Sequence, residues 1–481
     1  MKMPAGTTIK NGDVIELAIE SLAFGAEGVA HLETAKGRLA IFVEGTVPGD
    51  IVRARIGSVK RNFARANALE IVKKSHLRIE PLCQHFGSCG GCAFQFISYA
   101  DQLKIKEQHA RDSITRLGGF DEAIVKPIIG CEEPWYYRNK MEFSFSRELK
   151  PGGQGRLTLG LHERRRHHDV TELTRCLLMN SYVGPLVSEV RDFCRAKDEQ
   201  GQLKELKLLS LTIREGKNSG EVMVNLSVEN GQPEFLQEFT IFLRNAFDKY
   251  AQVPVLKAPA KPIHLTSVYF TQTINIKGKP KKIIEQPLWG KEYINESLKI
   301  ADGMELKFRI SPRSFFQPNT RQAEKLYGLV MEAAAPKKHE TVFDLFCGAG
   351  TIGCFCALKA GKVFGIELNE SAIRDARDNA ADNNIKNIEF IAGEVGKVTP
   401  TIGFKPDTVI VDPPRGGLDG QAFEQVTGLE PARIVYVSCN PSTLARDLAL
   451  LQKTGYTLLS VQPVDMFPQT YHIECVAVME K

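Results

Sequence analysis

Two residues near the carboxyl end of the chain have the types and settings that covalent catalysis requires. Cys439 lies in the turn-forming segment 438–441 directly after an apolar run, which favours a reactive thiol at the rim of a crevice over an inert core cysteine. Glu474 stands among apolar residues, where a raised pKa would suit a general base. Taken alone, Glu474 fits a paired structural acid equally well.

A rigid acidic loop precedes the cysteine. Asp412 follows an apolar run and is followed by Pro413 and Pro414, which fix φ and remove backbone donors. Open α/β sheets bind ligands beyond the carboxyl ends of their strands, so we expect Asp412 to face a ligand. The alternative is a simple exit turn.

A glycine-rich turn indicates a nucleotide site. Gly348, Gly350 and Gly353 follow the apolar run 341–345, and such glycines let the backbone approach a ligand closely. Glu367 comes nineteen residues after Gly348, where a carboxylate can accept hydrogen bonds from ribose hydroxyls. The same spacing satisfies the dinucleotide fingerprint, so a nicotinamide-dependent oxidoreductase is a competing hypothesis, and a turn that only packs helix on strand is another.

These residues need a scaffold that gathers strand ends at one edge. Apolar runs alternate with helical stretches from about residue 341, which predicts an α/β doubly wound sheet. The predicted strands are 341–345, 362–367, 388–391, 408–411 and 433–438.

The first 70 or so residues have a different pattern. Short strand-like runs broken by glycine predict a small β-barrel, with strands at 14–19, 28–31, 39–43, 51–56 and 68–72. The net charge of +5 is too small to indicate a nucleic-acid partner by itself. Residues 51–75, however, hold one acid, Glu70, and seven basic residues, Arg53, Arg55, Lys60, Arg61, Arg65, Lys73 and Lys74. This local excess favours a polyanionic partner, although a solvated surface explains any one cluster.

The eleven cysteines are too few for a disulfide-stapled secreted fold. Cys83, Cys89 and Cys92 stand at a spacing that indicates an iron–sulfur or zinc site without deciding between them. No apolar run reaches the ~18 residues of a spanning helix, and the amino terminus lacks the core of a signal peptide. We therefore predict a cytoplasmic protein without a membrane partner.

One reaction requires all of these parts. Uracil C5 is a poor nucleophile until a thiolate adds at C6, after which C5 can attack the methyl group of S-adenosylmethionine. A base must then remove the C5 proton so that the thiol is expelled. The scheme requires a cysteine, a carboxylate, a nucleotide site and a pocket for a flipped base.

The whole chain resembles the RNA 5-methyluridine (uracil-C5) methyltransferases. Segments 25–30 and 47–50 resemble a TRAM domain, 137–140 resembles a signature of the middle region, and 315–319 resembles the segment whose glutamine contacts the cofactor. The resemblance implies a Rossmann-like class I methyltransferase domain at the carboxyl terminus, an OB-like TRAM barrel at the amino terminus and a central α+β domain.

The resemblance also implies residue roles. Cys439 would be the nucleophile and Glu474 the proton acceptor. S-adenosylmethionine would be bound by Gln317, Phe346, Glu367 and Asp412. A [4Fe–4S] cluster with a structural or RNA-positioning role would be held by Cys83, Cys89, Cys92 and Cys176. The branch that the sequence resembles acts on 23S ribosomal RNA, and transfer RNA is the alternative substrate.

From these observations we predict a monomer of three domains: a TRAM β-barrel over residues 1–74, a central domain with the cluster cysteines over 75–300, and the methyltransferase domain over 301–481. A non-catalytic RNA-binding protein is the remaining alternative. A catalytically dead domain would have no chemical need for Cys439, Glu474, Asp412 and Gln317 together, which argues against it.

Overall fold

A computed structural model describes residues 9–34, 37–148, 155–164, 166–204, 206–229, 233–250, 261–275, 281–300 and 303–481. These residues form three large β-sheets, a two-stranded hairpin and the helices that pack on them. No helix in these ranges is long and apolar enough to cross a membrane.

The first sheet is the predicted small barrel. Its strands are β1 (Val14–Ala18), β2 (Ser21–Leu22), β3 (Glu27–Thr34), β4 (Gly37–Glu44), β5 (Ile51–Val59) and β6 (Phe63–Lys73), in the order β1-β5-β6-β4-β3-β2. The stretch that contains β1 and β2 pairs with β5 at one end and with β3 at the other, which closes the sheet. Alternation along β5 buries Val52 and Ala54 and turns Arg53 and Arg55 to the surface.

Helix α1 (Tyr99–Asp112) follows the cysteine-rich segment and continues as a π-helical turn to Leu117. Ser98 caps it by accepting a hydrogen bond from Asp101 N. Its buried positions, Gln102, Lys106 and Ala110, recur every four residues and form one stripe, two members of which are polar. Although α1 precedes the central sheet in sequence, Ala110 lies in the core of the carboxyl-terminal sheet.

The second sheet is mostly antiparallel and has the order β13-β12-β11-β10-β7-β8-β9. Its elements are β7 (Lys140–Arg147), β8 (Leu157–Glu163), β9 (Arg166–Glu172), α2 (Val183–Glu199), β10 (Leu208–Glu215), β11 (Glu221–Val228), α3 (Pro233–Tyr250), β12 (His264–Ile274) and β13 (Lys282–Gly290). A hairpin of β14 (Ile294–Lys299) and β15 (Glu305–Ile310) and then α4 (Thr320–Ala334) lead to the third sheet. This hairpin spans the predicted boundary at residue 300, and the three domain boundaries stay predictions.

The third sheet confirms the predicted doubly wound fold. Its elements are β16 (Thr341–Leu345), α5 (Thr351–Ala357), β17 (Lys362–Glu367), α6 (Glu370–Asp382), β18 (Ile388–Ala392), α7 (Val395–Val398), β19 (Thr408–Val411), α8 (Gly420–Gly428), β20 (Arg433–Ser438), α9 (Pro441–Lys453), β21 (Thr457–Val464) and β22 (Glu474–Glu480). The order is β18-β17-β16-β19-β20-β22-β21, and β22 runs antiparallel to both of its neighbours. The chain order reverses between β16 and β19, the position where such sheets open a ligand crevice.

Candidate active site

A cavity of about 950 Å³ lies at the carboxyl edge of the third sheet, beside the ends of β16 and β19. Six residues singled out from the sequence line it: Gln317, Phe346, Glu367, Asp412, Cys439 and Glu474. Residues separated by more than 150 positions therefore line one cavity. Their individual roles stay predictions, but the structure brings all six together.

The glycine-rich turn forms one wall of the cavity. Gly348 and Gly350 adopt left-handed φ values of 54° and 75°. A Cβ atom on Gly350 would lie 2.5 Å from the Phe390 ring, so a larger residue would not fit. Phe346 also has a positive φ, 64°, which is unusual for a residue with a side chain. The conformation of the turn, whose residues Phe346, Gly348 and Ala349 line the cavity, thus depends on these residue types.

Glu367 is fixed at the end of β17. One carboxylate oxygen accepts a hydrogen bond from Gly348 N at 3.2 Å, and the other accepts one from Asn369 N at 2.8 Å. The carboxylate therefore bridges the glycine-rich turn and the start of α6.

Asp344 is a cavity residue that the sequence analysis missed. Its Oδ2 accepts a hydrogen bond from Gly353 N at 2.8 Å, whereas its buried Oδ1 has no partner among the described residues. Burial, with smaller effects from Asp412 and Glu367, raises the pKa of Asp344 to about 8. A buried carboxylate oxygen without a donor is suited to a cationic ligand group. The signal in the sequence was a single acid in an apolar strand directly before the glycine-rich turn.

The segment around Gln317 is held by the central sheet. The Asn139 side chain donates hydrogen bonds to Gln317 O at 2.9 Å and to Thr320 Oγ1 at 3.0 Å, and Asn139 N donates to Pro318 O. Asn319 caps α4 by accepting from Gln322 N. Segments 137–140 and 315–319, which resemble family signatures, thus contact each other, and segment 137–140 positions segment 315–319.

Cys439 lies directly after β20 in a turn with local hydrogen bonds. Ser438 Oγ accepts from Asn440 N at 3.2 Å, and Asn440 caps α9 while its side-chain amide donates to Arg415 O at 3.2 Å. Burial, together with the nearby Glu474 carboxyl, raises the pKa of the Cys439 thiol to about 11, and the Arg415 guanidinium opposes that effect. Thiolate formation therefore depends on the surrounding charges.

Glu474 is the first residue of β22, and only 5% of it is exposed. Burial and then the Asp412 carboxyl raise its pKa well above the ordinary range, while Arg415 opposes the shift. Burial alone raises the pKa of Asp412 to about 7. Both carboxyl groups therefore hold a proton more strongly than an exposed carboxyl does.

His472 is a second cavity residue that sequence reasoning did not assign. Its ring lies 5.7 Å from the Phe467 ring and 4.4 Å from the Tyr471 ring, measured between centroids. Burial, with the charges of Arg415 and other basic residues, lowers the pKa of His472 to about 4. The imidazole is therefore neutral at physiological pH and offers one donor and one acceptor to the cavity.

The four cysteines proposed for the cluster lie in one neighbourhood. Cys89 and Cys92 pack against the hydrophobic core of the central sheet, to which Cys176 belongs. Burial raises the pKa of Cys89 to about 11 and that of Cys92 to about 12, and Cys83 and Cys176 each contribute to both shifts. All four thiols are free of disulfides.

The donor set of these cysteines suits iron–sulfur or zinc chemistry, since it consists of sulfur alone. Among the described residues, no group of three or more His, Cys, Asp or Glu side chains is arranged to hold a metal ion. In a [4Fe–4S] cluster each thiolate binds a different iron atom, so the sulfurs surround the cluster rather than converge on one ion.

Comparisons with known proteins agree with this geometry. A family described as tRNA (Uracil-5-)-methyltransferase matches residues 261–481, and the TRAM domain matches residues 9–69. An uncharacterized RNA methyltransferase of Clostridium tetani is 38% identical over 98% of this chain and 99% of its own length. Another, from Halalkalibacterium halodurans, is 35% identical over 98% of each chain.

A solved structure is also similar over nearly the whole chain. It is the Pyrococcus abyssi tRNA (uracil-54, C5)-methyltransferase in complex with S-adenosyl-L-homocysteine. The TM-score is 0.71 at 27% sequence identity, with 96% of this chain and 99% of that chain covered.

Proposed function

The chain belongs to the S-adenosylmethionine-dependent RNA uracil-5 methyltransferases and carries a TRAM domain, and on that premise we propose that it forms 5-methyluridine in 23S ribosomal RNA through a covalent bond between Cys439 and uracil. The observation that carries the covalent route is the position of Cys439 beside Glu474 in the cavity that also holds the glycine-rich turn. A nicotinamide-dependent oxidoreductase would need neither the thiol nor the base.

The chemistry assigns one step to each residue. The Cys439 thiolate adds to C6 of the flipped uracil, forming an S–C6 bond and placing the electron pair on C5 and O4. C5 then takes the methyl group that S-adenosylmethionine supplies as an electrophile, and the broken S–CH3 bond leaves S-adenosylhomocysteine. Glu474 accepts the C5 proton, the C6–S bond breaks, and the Cys439 thiolate is regenerated.

We assign cofactor binding to the cavity wall around the turn. Glu367 would accept hydrogen bonds from the ribose hydroxyls, and Gln317, Phe346 and Asp412, which line the same cavity, complete the predicted set. We add Asp344, whose unpartnered Oδ1 suits the ammonium group of the methionine moiety. A cationic ligand would also favour the ionised forms of the neighbouring carboxyls.

We further propose that Cys83, Cys89, Cys92 and Cys176 hold a [4Fe–4S] cluster. The shared neighbourhood of the four thiols and the all-sulfur donor set support this assignment. Methyl transfer from a sulfonium to carbon involves no net oxidation or reduction of the protein. The four cysteines would therefore stabilise the fold or position RNA rather than pass electrons.

RNA binding by the barrel would use the exposed face of β5 and the turn that follows it. Arg53 forms an ion pair with Glu70, and Arg65 forms one with Glu27, so part of the positive charge is neutralised within the barrel. Arg61 is exposed and forms no ion pair within the described residues, which leaves it available for phosphate.

Transfer RNA is the second candidate substrate, because the similar Pyrococcus abyssi enzyme acts on uracil-54 of transfer RNA. The ribosomal assignment rests on the resemblance of the sequence to the branch of the family that acts on 23S ribosomal RNA. Mapping 5-methyluridine in 23S and transfer RNA from cells with and without the gene separates the two. Loss of the modification from 23S RNA alone supports the proposal, and loss from transfer RNA alone replaces it with the alternative.

A further inference from the structure

A loop that leads into the catalytic base is held by hydrogen bonds from several distant parts of the chain, namely Tyr137, Asn319, Gln322 and helix α1. Residues 465–472 lie between β21 and β22 and end two residues before Glu474. They are here called the base-bearing loop because they lead directly to Glu474. Phe467 and His472 of this loop line the active-site cavity. The position of Glu474 therefore depends on what fixes the loop.

Gln102 of α1 and Gln469 of the loop form a reciprocal amide pair. Gln102 Nε2 donates to Gln469 Oε1 at 3.0 Å, and Gln469 N donates to Gln102 Oε1 at 3.1 Å. Gln102 Nε2 also donates to Ile97 O at 2.9 Å and to Phe94 O at 3.1 Å. Gln102 and Gln469 are 1% and 2% exposed, so water does not replace these bonds.

The backbone of Gln469 is unusual as well. Its φ is 67°, in the left-handed region that residues with a side chain seldom adopt. Its carbonyl oxygen accepts hydrogen bonds from Ala93 N at 2.8 Å and Phe94 N at 3.0 Å. These two donors directly follow Cys92, so the loop is also tied to the cysteine-rich segment.

A buried ion pair fixes the other end of the loop. Lys106, one helical turn after Gln102, donates to Asp465 Oδ1 at 2.6 Å and to Phe467 O at 3.0 Å, with both charged side chains fully buried. Tyr99 OH donates to Asp465 Oδ2 at 2.8 Å. The polar stripe of α1 thus faces the loop, and this explains why polar side chains occupy the buried side of that helix.

From these contacts we propose that Gln102 is a positioning residue for Glu474, acting through Gln469 and the base-bearing loop. The inference rests on the proposed function, in which Glu474 removes the C5 proton. Neither glutamine lines the cavity, so neither touches substrate or cofactor. A misplaced carboxylate would slow proton removal while leaving attack by Cys439 and cofactor binding in place.

The first test replaces Gln102 with Met, which keeps the length and volume of the side chain but removes its hydrogen bonds. The matched control is Gln108→Met on the same helix, because Gln108 is exposed and donates only to Asp112. Under single turnover with substrate RNA, we expect Gln102→Met to lower the rate of product release roughly 10- to 100-fold, the effect typical of an ångström-scale displacement. The covalent protein–RNA adduct should accumulate on a denaturing gel, with the Kd for S-adenosylmethionine within about twofold of the parent.

A second variant covers the case in which Gln102→Met does not fold. Gln469→Gly removes the side chain that accepts from Gln102, keeps the backbone hydrogen bonds of residue 469 and suits its left-handed backbone, so folding should persist. It should also accumulate adduct, to a lesser extent. Adduct levels equal to those of Gln108→Met in both glutamine variants would overturn the positioning role.

Failure of the inference can be told apart from failure of the proposed function. Glu474→Gln is assayed in parallel. If adduct accumulates in Glu474→Gln but not in Gln102→Met or Gln469→Gly, the positioning role of Gln102 is rejected and Glu474 remains the base. Absence of adduct in Glu474→Gln rejects the assignment of the base itself.

Discussion

Cys439 and Glu474 lie at adjoining ends of two neighbouring antiparallel strands. Ser438 at the end of β20 pairs with Cys475 of β22, and Cys439, which follows β20, and Glu474, which begins β22, lie directly beside this pair in the chain. The Glu474 carboxyl also raises the pKa of the Cys439 thiol, which shows that the two groups interact electrostatically. A uracil bound beside this pair would present C6 to the Cys439 thiolate and the neighbouring C5 to the Glu474 carboxylate.

Asp344→Asn should weaken binding of S-adenosylmethionine and stabilise the ligand-free protein. The amide keeps the shape but loses the charge that an ammonium group would require, so we expect the Kd, measured by calorimetry, to rise roughly tenfold, as for loss of one charge-assisted hydrogen bond. The control is Asp375→Asn, a carboxyl of α6 that accepts from Ser311 outside the cavity. An unchanged Kd in Asp344→Asn would contradict the assignment.

The raised pKa of Asp344 also predicts how the stability gained by Asp344→Asn depends on pH. The carboxyl of Asp344 loses its proton near pH 3.8 in the unfolded chain but only near pH 8 in the folded one. Folding of the parent protein is therefore penalised progressively as the pH rises from about 4 to about 8. The Tm of Asp344→Asn should exceed that of the parent by more at pH 8 than at pH 6. A smaller difference at pH 8 would contradict the raised pKa.

The single-turnover methylation rate should rise with pH between 6.5 and 8.5. The reaction uses the thiolate of Cys439, whose pKa is about 11, and ionised carboxyls, of which Asp412 has a pKa of about 7. Because the pKa values of both groups are raised, the inactive protonated forms are in excess at low pH. We therefore expect the methylation rate to increase by nearly tenfold per pH unit. His472, with a pKa of about 4, stays neutral throughout this range. A flat or falling profile would contradict the protonation states deduced from the site.

Protein purified without oxygen should be brown and contain about four irons per chain, as a [4Fe–4S] cluster requires. Replacing Cys83, Cys89, Cys92 or Cys176 singly with Ser should abolish the colour. Cys194→Ser is the matched control, because Cys194 is a buried free cysteine in the same domain that is not part of the set. Stoichiometric zinc without iron would overturn the cluster assignment.

Arg61→Ala should weaken RNA binding. It should also reduce the slope of log affinity against log salt concentration by roughly 0.7 per lost phosphate contact, the value for single strands. Arg53→Ala is the comparison, because the Arg53–Glu70 ion pair already neutralises that charge and a smaller change follows. Both affinities are measured by titration of labelled RNA at several salt concentrations. Equal affinities and slopes in the parent protein and Arg61→Ala would show that this face does not bind RNA.

The sequence predicted the elements of the third sheet well, because buried parallel strands appear as short apolar runs between glycine-rich and proline-rich turns. It also located the six cavity residues: Phe346, Glu367, Asp412, Cys439 and Glu474 stand at strand ends along the same edge, whereas Gln317 was identified by the family resemblance. Asp344 was missed because a single acid inside an apolar run looks like part of the strand. The Gln102–Gln469 pair joins positions 367 residues apart, and only the folded chain reveals such a contact.

The most direct test of the account is the fate of RNA on Glu474→Gln. With S-adenosylmethionine and substrate RNA, this variant should attack and methylate the uracil but fail to lose the C5 proton, so a covalent protein–RNA adduct that carries the transferred methyl group should persist on a denaturing gel. Cys439→Ala/Glu474→Gln should form no adduct, and Cys439→Ala alone should lose activity by several orders of magnitude while binding the cofactor normally. Normal turnover by Glu474→Gln, or appreciable methylation by Cys439→Ala, would contradict the covalent mechanism.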